Sequence, residues 1–118
     1  MATFTLTAGA DSLTGTAGAD FFVVTQASDL GPGDQVNGAL GIDTLRFSSA
    51  VQATLLLGGQ VVQVELVALT GVAALSVDAS AAANAFALTG NVAANSIAGS
   101  AFADTLTGGG GADTLSGG

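Results

Sequence analysis

Acidic residues in this chain return at intervals of nine. Asp11 and Asp20 are nine apart, Asp34 and Asp43 repeat the interval, and Asn95, Asp104 and Asp113 continue it. Two positions after each stands a large apolar residue: Leu13, Phe22, Val36, Leu45, Ile97, Leu106 and Leu115. Glycine lies five positions before most of them, at Gly15, Gly38, Gly90, Gly99 and Gly108, and two positions before several, at Gly9, Gly18, Gly41 and Gly111. The unit is G-x-x-G-x-D-x-U-x, with U apolar, and "GTAGADFFV" (15–23), "GALGIDTLR" (38–46) and "GGGGADTLS" (108–116) are its best copies. Self-similarity at a short fixed period marks a chain that folds by stacking its repeats.

Each half of the unit has a physical role. Glycine tolerates positive φ, so the segment before Asp can turn tightly and aim carbonyls inward. The D-x-U-x half suits a short strand with U in the core and its neighbours outside. Carbonyl and carboxylate oxygens converging on one loop suit a hard cation, and calcium tolerates their irregular geometry.

These units resemble the haemolysin-type (RTX) nonapeptide repeats, G-G-x-G-x-D-x-U-x, of calcium-binding parallel β-rolls. The resemblance implies an all-β, right-handed parallel β-roll, a β-solenoid of about five or six coils. It further implies two nonapeptides per coil, with Ca2+ held between loops stacked on one side, so that ligands come from aspartates about eighteen residues apart. The expected metal residues are Asp11, Asp20, Asp34, Asp43, Asp104, Asp113 and Asn95, with Asp29 ranked behind Asp34. Around them the turn glycines Gly15, Gly18, Gly38, Gly41, Gly99, Gly108 and Gly111 shape the loops. The single domain (1–118) divides into N-terminal RTX-like coils (1–47), degenerate coils without metal motifs (48–89) and C-terminal RTX-like coils (90–118).

The pairing rule can be counted out. Asp11 to Asp34 and Asp20 to Asp43 are both twenty-three residues, eighteen plus five, which places a five-residue insertion in "ASDLGPGDQ" (27–35). Asp29 is eighteen from Asp11 but lacks an apolar residue two positions on. At the other end Asp113 pairs back to the neutral Asn95, and Asp104 to Phe86, which is no ligand; forward partners would lie past residue 118. Stacking of a second molecule on that end would bring Asp104 and Asp113 to its Asp11 and Asp20. Between the two motif regions, "QVVQVELVALTG" (60–71) reads as one strand with Val62, Val64 and Leu66 buried and Gln63 and Glu65 outside. Asp78 has no apolar residue two positions later and is left outside the metal set.

Composition narrows the partners. Nine acidic residues oppose one basic residue, Arg46, for a net charge of -8, which excludes an electrostatic grip on nucleic acid or anionic lipid. Yet 49% of residues are hydrophobic, so the charge is not that of a low-hydrophobicity disordered chain. Without Cys or His there is no thiolate or imidazole chemistry. The segment "LVALTGVAALSV" (66–77) is too short and broken to insert in a membrane, and "MATFTLTAG" has no signal-peptide pattern. Thr3, Thr5 and Thr7, with Thr105, Thr107 and Thr114, suggest wet strand faces more than an ice-binding array. Arg46 near Asp43 suggests an outward ion pair more than a catalytic pair.

The function expected is therefore that of a non-enzymatic, extracellular, calcium-binding structural protein, secreted without a cleaved signal peptide. It would associate head-to-tail as a homo-oligomer or polymer of surface-layer or filament type. The alternative is a calcium-dependent folding and secretion module of a larger type I-secreted adhesin, toxin or hydrolase.

Overall fold

The structure, a computed structural model, describes residues 1–117. Short strands alternate with Gly- and Asp-bearing turns, and each pairing among the described residues is parallel. One long sheet holds six strands in the order β1 (Thr3–Thr5), β3 (Phe21–Val24), β5 (Thr44–Phe47), β8 (Leu66–Leu69), β10 (Ala87–Thr89) and β12 (Thr105–Thr107). The chain thus makes five turns of a parallel β-solenoid between β1 and β12, in keeping with the expected β-roll.

The opposite wall is divided. At the N-terminal end it is a three-stranded sheet of β2 (Ser12–Thr14), β4 (Gln35–Asn37) and β7 (Val61–Val62). Towards the C-terminus it is a four-stranded sheet of β6 (Ala53–Leu56), β9 (Leu75–Asp78), β11 (Ser96–Ala98) and β13 (Thr114–Ser116). The coil β5–β6–β7 contributes to all three sheets, so the solenoid is three-sided at its waist. A single 3₁₀ turn, Ala27–Asp29, packs against β6 and takes up the extra length between β3 and β4. That is where the sequence count placed the five-residue insertion.

The U residues stack in register. Phe4, Phe22, Leu45, Val67, Leu88 and Leu106 form one inward row on the long sheet. Leu13, Val36 and Val61 form a second row, and Leu55, Val77, Ile97 and Leu115 a third. The middle of each row is fully buried. The ends that face the chain termini are not: Leu13 and Leu106 are half-buried, and Leu115 is 44% exposed because no further coil covers it among the described residues, whereas Val61 and Leu55, which end their rows at the waist, are buried. Phe4 stacks on Phe22 with ring centroids 5.1 Å apart, which seals part of the N-terminal end.

The segment 60–71 departs from the single strand expected. Gln63 adopts a positive φ of 53°, which makes a corner between β7 and β8 and shifts the inward register. Val61, Val64, Val67 and Leu69 are buried, whereas Leu66 is exposed. Arg46 is likewise not paired with Asp43. It lies on the outer face of β5, with its guanidinium 4.8 Å from the Phe21 ring centroid. The threonines do not form a continuous array: Phe21, Val23, Leu66 and Ala68 interrupt the outer face of the long sheet between Thr3/Thr5 and Thr105/Thr107.

Candidate metal centre

The residue just before each long-sheet strand occupies a vertical row: Ala2, Asp20, Asp43, Glu65, Phe86 and Asp104. Acids in this row reach back along the stack. Asp20 Oδ1 accepts the Ala2 N–H at 2.6 Å, Asp43 Oδ1 accepts the Asp20 N–H at 2.8 Å, and Glu65 Oε2 accepts the Asp43 N–H at 2.9 Å. Asp104 Oδ1 accepts the Phe86 N–H at 2.8 Å. On the opposite wall, Asp34 Oδ1 accepts the Asp11 N–H at 2.7 Å and Asp113 Oδ1 accepts the Asn95 N–H at 2.8 Å. A carboxylate on a main-chain N–H is a charge-assisted bond, stronger than a neutral one, so the ladder holds the coils together as well as placing oxygens.

The spacing along the ladder is 23 residues for Asp11–Asp34 and Asp20–Asp43, and 18 for Asn95–Asp113 and Phe86–Asp104, as the sequence count has it. Asp29 is different. It sits buried in the 3₁₀ turn, and Asp34 alone stands opposite Asp11 because the insertion moves the strand register five residues on.

The turns fall into two kinds. In the turns ending at Asp11, Asp20 and Asp104, a Thr or Ser four residues earlier closes on the carboxylate with both its N–H and its hydroxyl. Thr7, Thr16 and Ser100 do so, with N–H distances of 2.7, 2.6 and 2.6 Å. Asp34 is closed by the Gly31 N–H at 2.6 Å. The turns ending at Asp43 and Asp113 are open. Their fourth-preceding residues, Ala39 and Gly109, have φ of 71° and 81°, and Gly41 and Gly111 have φ of 109° and 84°. Ala39 sends its N–H to Asn37 Oδ1 instead, leaving Asp43 Oδ2 buried and without a hydrogen-bond partner. Gly18, although it matches the repeat, has negative φ and open space where a Cβ would stand.

Two of these aspartates, Asp20 and Asp43, differ in electrostatics. Burial works to raise the pKa of Asp20, but the N–H groups of Thr16 and Ala2 and the Thr16 hydroxyl outweigh it and hold the carboxyl below its usual range. Asp43 moves the other way. Burial, with the nearby charges of Glu65 and Asp20, pushes its carboxyl up against the one N–H it accepts, that of Asp20.

The first glycine of each turn is where the oxygens crowd. A methyl group at Gly38 would collide with Asp43 Oδ2 and the Gln63 carbonyl, and one at Gly15 with Asp20 Oδ2 and the Gly38 carbonyl. Gly90 faces Asn95 Oδ1 and the Gly108 carbonyl in the same way, Gly99 faces Asp104 Oδ2 and the Gly117 carbonyl, and Gly108 faces Asp113 Oδ2. Among the described residues no three acidic side chains converge on one point. A cation here would be held by one or two carboxylates and several carbonyls, all hard oxygen donors. That donor set, with a buried carboxylate oxygen lacking a partner, fits calcium and has nothing to offer a metal that prefers nitrogen or sulfur.

Two features escaped the reading of the sequence. Glu65 occupies an Asp position of the ladder, with Val67 as its U residue; the signal was E-x-U at the right phase, hidden by the alternation of its neighbours. The Thr and Ser closures were also missed, though "TAGAD" (7–11 and 16–20) and "SAFAD" (100–104) carry them openly. Asn95 is committed to the fold: its Nδ2 donates to the Leu75 carbonyl at 2.7 Å, a bond no carboxylate could make, and its Oδ1 accepts the Asn91 N–H. Asp20 lies beneath β1 and is buried, so a second molecule cannot reach it; in phase, Asp11 is the acid left at that end.

Parallel rungs, an inward row of U residues and oxygen-lined Gly–Asp turns define a calcium-binding β-roll. The family model of the RTX calcium-binding nonapeptide repeat matches residues 3–29 and 89–118 in four copies, and these two segments carry repeats of that calcium-binding type. Neither a curated protein nor a solved structure matches the chain.

Proposed function

We propose that the chain is a non-enzymatic, extracellular structural solenoid in which calcium stabilises the coils and supports head-to-tail association. Asp11, Asp20, Asp34, Asp43, Asp104 and Asp113 supply the carboxylates of its calcium loops, and the turn glycines let neighbouring carbonyls approach them. Binding free energy then becomes folding free energy, because acids crowded on one edge repel one another until a cation joins them.

The observation that carries the assembly reading is the pair of unpaired ends. β1 and β2 at one end, and β12 and β13 at the other, each pair on one side only among the described residues. Beneath those edges Phe4, Leu13, Leu106 and Leu115 are incompletely covered, and exposed strand edges over uncovered core favour further stacking. Asp113 at one end and Asp11 at the other would meet across such a junction. The same edges also suit continuation by further coils of a longer chain, the alternative in which this is a folding and secretion module. An extracellular setting supports either reading, since it supplies calcium at the concentrations weak oxygen sites need.

Sedimentation velocity in millimolar calcium and in chelator tests the proposal. Calcium-dependent growth of the sedimenting species is expected. A chain that folds with calcium yet stays monomeric leaves the module reading in place and removes the assembly one.

A further inference from the structure

Apart from the buried Asp29, two charged side chains stand outside the acid ladder, one of each sign, on opposite walls of the solenoid. Asp78 ends β9, level with Leu56 of β6 in the four-stranded sheet. It lines a cleft of about 660 Å³ between that sheet and the inserted loop, with Leu30, Pro32, Leu56 and Leu57 among the walls. Among the described residues of that lining, Asp78 is the one charged side chain. Its Oδ1 accepts the Ser80 hydroxyl at 2.6 Å and the Ser80 N–H at 3.0 Å, while Oδ2 accepts no hydrogen bond among the described residues. The two Ser80 bonds hold the carboxyl below its usual range, so the cleft is anionic at neutral pH.

Arg46 has the complementary setting. It stands on the outer face of the long sheet among Phe21, Val23, Leu66 and Ala68, and no described residue pointing outward from that sheet is acidic. The Phe21 ring, 4.8 Å away, takes the flat side of the guanidinium and leaves its N–H edge for a carboxylate. Each surface thus carries a single charge, and the two are opposite in sign. Within one chain they face apart; between two chains they can meet.

We propose that the long-sheet face of one copy docks on the cleft of another, Arg46 of the first entering it to pair with Asp78 of the second. An arginine stem suits apolar walls, and its fork suits a carboxylate. Because the two surfaces differ, the contact is heterologous and repeats from copy to copy without closing a pair. It runs across the solenoid and uses no calcium ligand, so it is separate from end-to-end stacking and ties chains side by side.

Sedimentation velocity of the whole chain in millimolar calcium tests this with Asp78→Arg, Arg46→Asp and the double variant. Each single reversal opposes like charges and should weaken association by about tenfold or more. The double variant, and an equimolar mixture of the two single variants, should recover it. A second readout leaves the ion pair intact. The chain has no Cys, so Thr44→Cys, beside Arg46, and Thr54→Cys, in the cleft, can be mixed and joined by a short bis-maleimide. Cross-links between the two variants should dominate those within either one. Reversals without effect, no recovery in the double variant and the mixture, or cross-links no commoner between the variants than within them overturn the inference. Calcium-dependent growth that persists alongside any of these leaves end-to-end stacking in place. A parent chain that stays monomeric overturns both.

Discussion

The main-chain N–H of Asp20 donates to Asp43 Oδ1 at 2.8 Å across 23 residues of sequence. One carboxylate oxygen thus clamps two coils, while the other, Oδ2, faces a carbonyl-lined space. The aspartate serves as a staple on one side and an anion awaiting a cation on the other. Its replacement should have opposite effects in the two conditions.

Asp43→Asn keeps an acceptor for the Asp20 N–H and removes the uncompensated charge. In chelator its melting midpoint should rise by about 4 °C, the effect of about 1 kcal/mol in a domain of this size. In saturating calcium the order should invert. Thermal melts in both buffers check this, and parallel shifts of one sign would contradict the clamp-and-anion account.

The pH dependence without metal follows from the raised pKa of Asp43. The folded chain binds that proton more tightly than the unfolded chain does, so the contribution is complete below the ordinary carboxyl range and fades as pH rises through the raised folded value. Denaturant unfolding in chelator should show stability falling across that window. Asp43→Asn should flatten this component of the profile.

Ala39 and Gln63 hold positive φ without being glycine. Ala39→Gly and Gln63→Gly should each relieve strain and stabilise the calcium-loaded chain, by about 1 kcal/mol after the entropy glycine returns to the unfolded state. Urea midpoints with an unchanged slope are the measurement; destabilisation at either position would mean its side chain contributes more than its strain costs.

Position along the stack should set the cost of core truncation. Leu45→Ala removes a fully buried rung and should destabilise by about 2–5 kcal/mol. Leu115→Ala acts on a residue 44% exposed and should barely move the melting midpoint of the monomer. If the chain stacks end to end, the same change should weaken the calcium-dependent species seen in sedimentation.

Much of this architecture was legible in the residues. The nine-residue phase gave the strand register at both ends, and the extra five residues between Asp11 and Asp34 located the 3₁₀ turn at Ala27–Asp29. The waist was harder, for a physical reason. Alternation in "QVVQVELV" looks like one continuous strand because nothing in residue type marks Gln63 as left-handed; glycine would have announced the corner. The closure of Asp11, Asp20 and Asp104 by Thr7, Thr16 and Ser100 was visible in the letters, but a search tuned to glycine passes over a hydroxyl in the same slot. Asp29, ranked behind Asp34 for want of an apolar residue two positions on, sits in the 3₁₀ turn, while Asp34 stands opposite Asp11.

One consequence of the ladder concerns the perimeter of the coils. Height per rung is fixed by strand pairing at about 4.8 Å, yet the contour needed to travel round once runs from 18 residues at Ala2–Asp20 to 23 at Asp20–Asp43 and 22 at Asp43–Glu65. The acids align in spite of this, because each is gauged against the amide below it and not against chain length. The molecule therefore behaves as a ruler with a constant graduation and an adjustable girth. Residues can be added or removed at the far corner of a coil without disturbing the scale on which its charges are set.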